Sequence, residues 1–315
     1  MSATTISVPE SLDTARYARC ATLSKKSEWQ IDRDLLQGRT FDFSRKFLPD
    51  ALSRVDRLAF LSADEARLLS QIQGRTYAYI FGLVERFISA KMLDQGRAHL
   101  FDDQLALEAL LRFSAEEIKH QELFRRMEAM IAPELPSGYL QVADPNEVAR
   151  AVLAASTWSV LALTCHIELF VQTHYAESIA PREELCPLFR DVFKFHWKDE
   201  SRHVVLDELE WKNEHARLSP AERGQAVNDL IALVGAVDGI LQAQATADAN
   251  YFVRSVRPFT AEEVSEIKAS VLSAYRWQYI ISGVQQPHFA KLLASMTTPE
   301  QMLQIRSALT PILNG

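Results

Sequence analysis

The sequence has few cysteines and no excess of positive charge. Its three cysteines, Cys20, Cys165 and Cys186, lack Cys-x-x-Cys spacing, which argues against a disulfide framework and against a thiolate zinc site. Lys and Arg number 34 against 41 Asp and Glu, giving a net charge of −7. A nucleic-acid binder is therefore disfavoured, because neutralising phosphates requires clustered basic residues.

Long uncharged apolar runs are also missing. Residues Met1 to Lys26 contain no apolar stretch long enough for a secretory signal, and no later stretch approaches a membrane span without charges. We therefore expect a cytoplasmic protein that binds neither membranes nor nucleic acids. Hydrophobic residues make up 48% of the chain and charged residues 24%, which is typical of a soluble globular protein with a sizeable core.

Glycine and proline are sparse from about residue 62 to 285, and apolar residues recur there at helical spacing. This pattern predicts an all-α fold, in which the mixed segment 27–62 wraps around the helices. No linker divides the chain, so we expect one domain over residues 1–315. Capping and breaking residues predict helices from the Ser62-x-x-Glu65 capping box to Gly96, from Asp102 or Asp103 to just before Pro133, and over about 146–178, 183–217, 220–250 and 260–284.

Two Glu-x-x-His motifs lie on predicted helices, Glu117-Ile118-Lys119-His120 on the second and Glu200-Ser201-Arg202-His203 on the fourth. A spacing of three residues places the carboxylate and the imidazole on one helical face, where both can point at the same ion. Each motif alone is weak evidence for a metal site, because a surface Glu with a His three residues later arises easily by accident.

A further glutamate precedes each motif at the same offset. Glu85 lies 32 residues before Glu117, and Glu168 lies 32 residues before Glu200, both in strongly apolar surroundings. In an antiparallel helix pair, residues equally far from the connecting turn face each other. At a rise of 1.5 Å per residue, all four carboxylates are expected about 24 Å from their turns, at one level in mid-bundle.

Four glutamates and two histidines at one level suit two hard to borderline cations such as iron or manganese, and suit zinc less well. The alternative is a helical bundle with two buried charge networks and no metal. Unpaired buried carboxylates are costly, which favours the metal site.

With its two Glu-x-x-His motifs and the glutamate before each, the sequence resembles the ferritin-like di-iron carboxylate superfamily over residues 64–215. The resemblance implies a four-helix bundle like that of ribonucleotide reductase small subunits, with accessory helices over about 220–313. It also implies that Asp199 and Glu116 support the ligand histidines from outside. The implied ligands are Glu85, Glu117, His120, Glu168, Glu200 and His203.

His196 lies four residues before Glu200, on the same helical face as Glu200 and His203. This His-x-x-x-Glu-x-x-His arrangement resembles that of the para-aminobenzoate N-oxygenase family and makes His196 a seventh candidate ligand; the alternative is a histidine packed beside Trp197. The resemblance implies two iron ions, or a manganese–iron pair, that activate dioxygen with electrons from an external donor. The implied substrate is small and apolar or aromatic, and the implied reaction is N-oxygenation of an arylamine.

Three alternatives remain at this point. A ribonucleotide reductase is disfavoured because Phe124 occupies the position of its radical tyrosine. The second alternative is an acyl desaturase-like di-iron oxidase, because such desaturases resemble this sequence from Asp199 to His203. The third is a non-catalytic protein that merely binds iron or manganese. No catalytic residue beyond the ligands is predicted, and the C-terminal helices are expected either to close the bundle or to form a homodimer interface.

Overall fold

The computed structural model of the chain describes residues 12–313, and it contains no β-strand in that range. The predicted all-α class is confirmed. The expectation for the N-terminus rests partly on residues 1–11, which lie outside the described residues. The helices are α1 (Leu12–Lys26), α2 (Asp50–Ser53), α3 (Ala63–Gly96), α4 (Gln104–Ile131), α5 (Pro145–Leu153), α6 (Thr157–Thr173), α7 (Pro187–Arg217), α8 (Pro220–Ser255), α9 (Ala261–Arg276), α10 (Ser282–Gln285), α11 (Pro287–Ser295) and α12 (Pro299–Leu313).

Helices α3 and α4 form one long pair, and α6 and α7 form the other. The first pair is antiparallel: Arg75 in the first half of α3 pairs with Glu128 near the end of α4, with Nε and Oε2 2.9 Å apart. The predicted starts are confirmed, because Ser62 caps α3 in a capping box and Asp103 caps α4. Pro187 occupies the first turn of α7, where its missing N–H costs nothing.

The prediction of one continuous helix over 146–178 is wrong. The chain breaks into α5 and α6, and six residues after α6, His174–Ile179, form a π-helical turn. The backbone N–H of Ser156 leaves the helical pattern and donates to the carboxylate of Asp229 on α8, 3.1 Å away. Apolar periodicity cannot reveal this contact, because Asp229 lies far away in the sequence.

The segment before α3 lies against the bundle. The Lys46 carbonyl accepts a hydrogen bond from the Cys186 N–H at 2.9 Å, and the Phe47 ring stacks on Phe189 with centroids 5.2 Å apart. Gly74 of α3 permits this approach, because a Cβ there would lie 2.6 Å from the Cβ of Phe47. The three cysteines are buried and free.

Helix α8 is long and apolar enough to cross a membrane by length and composition alone, which the sequence expectation did not anticipate. This is weak support for a membrane span, since core helices of soluble proteins pass the same test. Here α8 packs on α6 and α9. Its Asp238 pairs with Arg276 of α9, with Oδ1 and Nε 2.7 Å apart.

Candidate metal centre

Helices α3, α4, α6 and α7 bring the predicted site residues together in the bundle interior. Each helix contributes at least one carboxylate, and α4 and α7 also contribute imidazoles. All of these residues are at most 2% exposed. The residues are Glu85 on α3, Glu117 and His120 on α4, Glu168 on α6, and His196, Glu200 and His203 on α7.

These residues form two groups of four, and within each group one donor atom from every residue lies within 4.8 Å of the others. Glu200 belongs to both groups. The two groups together contain all seven residues that were predicted as metal ligands. The first consists of Glu85, His120, His196 and Glu200, and the second of Glu117, Glu168, Glu200 and His203.

The two oxygens of Glu200 face different groups. Its Oε1 lies 3.0 Å from Nδ1 of His120 and 2.9 Å from Nε2 of His196. Its Oε2 lies 2.6 Å from Nδ1 of His203. A carboxylate with this arrangement can bridge two cations.

The sequence left two alternatives for His196, a metal ligand or a histidine packed beside Trp197. In the structure its imidazole points into the first group. Its Nε2 lies 2.9 Å from Oε1 of Glu85 as well as 2.9 Å from Oε1 of Glu200. Trp197 faces elsewhere and packs against Tyr175, with ring centroids 5.1 Å apart. His166 lies outside both groups; it is two residues from Glu168 and therefore on a different helical face.

The outer nitrogens of the two motif histidines contact the carboxylates predicted to support them, and the pairing crosses between the motifs. His120 on α4 has its Nε2 3.2 Å from Oδ2 of Asp199 on α7. His203 on α7 has its Nε2 2.8 Å from Oε2 of Glu116 on α4. Each carboxylate therefore orients the histidine of the opposite helix, leaving Nδ1 of both rings directed at the carboxylate cluster.

Several side chains that fix these two carboxylates were not anticipated from the sequence. Arg202 donates from Nη2 to both Asp199 at 2.6 Å and Glu116 at 2.8 Å. Asp199 also accepts from Nζ of Lys119 at 2.7 Å and from Nε1 of Trp29 at 2.8 Å. Burial would raise the pKa of Asp199, but His120 and Lys119 outweigh it and hold that pKa well below its usual range.

Many polar atoms in the two groups are buried without a hydrogen-bond partner among the described residues. These include both carboxylate oxygens of Glu117, Oε2 of Glu85 and Oε2 of Glu168. Leaving one buried polar atom unsatisfied costs about 1–3 kcal/mol. Carboxylate oxygens and imidazole nitrogens are donors that divalent transition-metal ions coordinate, so the residues fit a metal site.

Asp207 was also missed, although it lies four residues after His203 on the same face of α7. Its side chain is fully buried, and both of its oxygens lack a hydrogen-bond partner among the described residues. Burial, opposed by His203, raises the pKa of Asp207 well above its usual range. A second carboxyl behaves similarly, since burial and the neighbouring Glu200 raise the pKa of Glu168 well above its usual range.

Aromatic rings enclose the histidines. Phe113 stacks on His203 with centroids 3.7 Å apart, and Phe81 and Phe124 each meet His196 edge-on at 5.2 Å. Six residues lie one helical turn from a predicted ligand, and the sequence predicts that most of them are core residues and that some line a substrate pocket: Phe81, Ile88, Phe113, Phe124, Val171 and Trp197. Instead, a cavity of about 340 Å³ opens beside α3 and α6, and its walls come from other residues, including Val84 and Ile167.

Comparison with known families gives a match over most of the chain. A family model described as P-aminobenzoate N-oxygenase AurF matches residues 64–278. That range contains all seven residues of the two groups and extends beyond the four-helix bundle into α8 and α9. No curated protein matches the chain.

Proposed function

Because the chain belongs to the P-aminobenzoate N-oxygenase AurF family of ferritin-like di-iron oxygenases, we propose that it holds two iron ions and oxygenates the nitrogen of an arylamine. Family membership makes the protein an oxidoreductase. Dioxygen would be the oxidant, and an external donor would supply the electrons. The observation that supports the metal assignment best is the set of buried donor atoms without partners.

The two groups suggest how the ions would be held. Glu85, His120 and His196 would bind one ion, and Glu200 would bridge to the other. The second ion would take the remaining residues of its group, Glu117, Glu168 and His203. Three imidazoles and four carboxylates form a set of nitrogen and oxygen donors that suits iron, with a manganese–iron pair as the alternative.

When bound, the metal pair would supply the redox chemistry that activates dioxygen, while the protein supplies position and shielding. Asp199 and Glu116 hold the ring orientation of His120 and His203. The phenylalanine rings against His196 and His203 exclude water from the histidine side of the site. The desaturase-like and non-catalytic alternatives have no comparable support, because the matched family is an N-oxygenase family.

The first test is the metal content of the purified chain, measured by elemental analysis. We expect about two irons per chain in the wild type and a loss in Glu117→Ala, His203→Ala and His196→Ala. His288→Ala is the control, because this half-exposed histidine pairs with Glu208 and lies outside both groups. A wild type that stays free of iron and manganese after anaerobic ferrous reconstitution would falsify the proposal.

The second test addresses the reaction. The iron-loaded chain is given a reductant, ¹⁸O-labelled dioxygen and an arylamine, and the products are analysed by mass spectrometry. Incorporation of ¹⁸O on nitrogen supports N-oxygenation. A metal-loaded protein that oxidises only carbon would retain the metal site and reject the arylamine assignment.

A further inference from the structure

A buried tyrosine lies close to the metal centre without belonging to either group of donor residues. Tyr77 is on α3, about two helical turns before Glu85. Its ring meets Phe81 edge-on with centroids 4.7 Å apart, and Phe81 in turn meets His196 edge-on at 5.2 Å. A single aromatic ring therefore separates Tyr77 from a residue of the metal centre.

The Tyr77 hydroxyl begins a short chain of hydrogen bonds. Its oxygen lies 2.8 Å from Nδ1 of His174, the Nε2 of His174 lies 2.9 Å from Oγ of Ser282, and Ser282 donates to the Gln278 carbonyl oxygen at 3.2 Å. With the Ser282 proton on that carbonyl, Nε2 of His174 is the donor to Ser282, and Nδ1 carries the lone pair. Tyr77 therefore donates to Nδ1. The other tautomer would leave the buried Tyr77 proton without an acceptor among the described residues.

Both partners of this hydrogen bond are uncharged. Burial lowers the pKa of His174 from 6.5 to about 3, so its imidazole is neutral at neutral pH. Burial also raises the pKa of Tyr77 well above its usual range, so the hydroxyl keeps its proton. If Tyr77 lost an electron and kept that proton, a positive charge would remain on a buried ring, which is costly. A shift of the proton to Nδ1 places the charge on an imidazole that is hydrogen-bonded at both nitrogens.

Two other electron-rich rings near the centre lack this arrangement. Trp29 stacks on His120 with centroids 6.4 Å apart, but Nζ of Lys119 lies 4.1 Å from the centre of the Trp29 ring. That cation stabilises the neutral indole and opposes the loss of an electron, because the oxidised ring would be positive as well. Tyr279 lies 6.5 Å from Phe81, but its hydroxyl has no hydrogen-bond partner among the described residues and so no proton acceptor.

From these contacts, and resting on the proposed function, we propose that Tyr77 is an internal one-electron donor to the metal centre when dioxygen reacts and no arylamine is bound. The oxidant is the metal pair after its reaction with dioxygen. One electron leaves Tyr77 for that oxidant, the phenolic O–H bond breaks, and the proton moves to Nδ1 of His174. The products are a neutral tyrosyl radical and an imidazolium that still donates to Ser282. The external electron donor then reduces the radical, and the proton returns to Tyr77.

Electron paramagnetic resonance tests this proposal without measuring turnover. The full chain is loaded with ferrous iron anaerobically, mixed with dioxygen in the absence of an arylamine, and frozen at successive times. We expect a free-radical signal that narrows when the protein contains ring-deuterated tyrosine and is unchanged by ring-deuterated tryptophan. Oxidation of the iron without a tyrosine signal, or with a tryptophan signal in its place, would overturn the proposal.

Variants assign the radical to its residue. Tyr77→Phe should lose the signal, whereas Tyr279→Phe is the matched control and should keep it, because it removes a hydroxyl that has no proton acceptor. His174→Asn retains a hydrogen-bond acceptor near the position of Nδ1 but removes the base, and it should diminish the signal. A signal that persists in Tyr77→Phe, or that does not respond to His174→Asn, would contradict the assignment.

A labelled wild type covers the case in which Tyr77→Phe fails to fold, which thermal unfolding detects. A fluorinated tyrosine incorporated at position 77 keeps the hydroxyl and should add a fluorine splitting to the signal. The same label at position 279 should leave the signal unchanged. An unsplit signal from the protein labelled at position 77 would place the radical elsewhere and reject the proposal.

Iron content and oxidation of the ferrous iron are measured on the same samples, so that two kinds of failure stay distinct. A chain that binds iron and oxygenates an arylamine but forms no tyrosyl radical keeps the proposed function and rejects the internal donor. A radical at Tyr77 in a chain that oxygenates no amine keeps the internal donor and rejects the arylamine assignment. A chain that binds no iron rejects both, because Tyr77 then has no oxidant.

Discussion

Asp199 lies directly before Glu200 in the second motif, yet its Oδ2 lies 3.2 Å from Nε2 of His120 in the first. The two Glu-x-x-His helices are therefore linked through carboxylates that precede the motif glutamates. Glu116 makes the equivalent contact with His203. Because both links cross between α4 and α7, a change in one motif should alter a ligand of the other.

Asp199→Asn should weaken metal binding without unfolding the protein. The substitution removes the charge that orients His120 and that pairs with Lys119 and Arg202. Outer carboxylates of this kind typically contribute about 10–100-fold to metal affinity. An anaerobic ferrous titration measures the change. Asp191→Asn on the same helix is the control, since that carboxylate is more than one-third exposed and pairs with Arg39; equal affinity in all three proteins would contradict the orienting role.

Metal binding should release protons and should strengthen as pH rises. In the metal-free chain, burial and Glu200 raise the pKa of Glu168 well above its usual range, so that carboxyl holds its proton to a higher pH than an ordinary glutamate does. Burial would lower the pKa of His203, but Glu200 and Glu117 raise it well above its usual range. Each proton that the metal displaces makes affinity fall about tenfold per pH unit of acidification. Calorimetry in buffers of different ionisation enthalpy counts these protons, and proton uptake would be the contrary result.

Asp248 should make the folded protein less stable as pH rises. Its carboxylate is buried and accepts hydrogen bonds from Thr76 at 2.6 Å, from Gln244 at 2.8 Å and from Tyr275. Burial raises the pKa of Asp248 from 3.8 to about 7. The folded state therefore holds this proton more tightly than the unfolded state does, and the resulting stability is lost between about pH 4 and pH 7.

From pH 5 to pH 8 this effect should lower the free energy of unfolding by about 2–3 kcal/mol relative to Asp248→Asn. Urea unfolding of both proteins at the two pH values gives this difference directly. The comparison cancels the contributions of other titrating groups. A variant that tracks the wild type at both pH values would show that Asp248 titrates normally.

Gly283→Ala should destabilise the protein. A Cβ at Gly283 would lie 2.2 to 2.6 Å from ring atoms of His166, and that buried ring is held by a 3.2 Å contact from its Nε2 to the Tyr279 carbonyl oxygen. We expect a loss of about 1–3 kcal/mol, the usual cost of overpacking. Gly224→Ala on α8 meets no atom within 4 Å and should stabilise by about 0.5–1 kcal/mol. Thermal unfolding separates the two, and shifts of the same sign would refute the steric argument.

Much of the bundle could be predicted because its signals are local. Ser62 and Glu65 form the capping box that the sequence showed, and Ser219 with Glu222 forms another at the start of α8. Predicting one helix over 146–178 failed because a contact with a distant helix, from Ser156 to Asp229, sets the break. Local periodicity carries no information about such a partner.

The contacts that support the metal centre also depend on partners that local sequence does not reveal. Lys119 and Arg202 lie inside the motifs, but their sequence positions do not say which carboxylate each will contact. Trp29 lies in a segment whose path over the bundle could not be predicted, and its indole N–H donates to Asp199 across 170 residues of chain. These contacts follow from packing between elements.

The sequence by itself determined most of the long helices and the four glutamates that converge, since helical periodicity and equal distance from a turn fix which side chains face inward at one level. Only the tertiary structure decided that Asp199 and Glu116 cross over to the opposite histidines, and where the apolar cavity opens beside α3 and α6. The reason is physical: helical geometry repeats every few residues along the chain, whereas the distances between packed helices depend on every side chain in the interface.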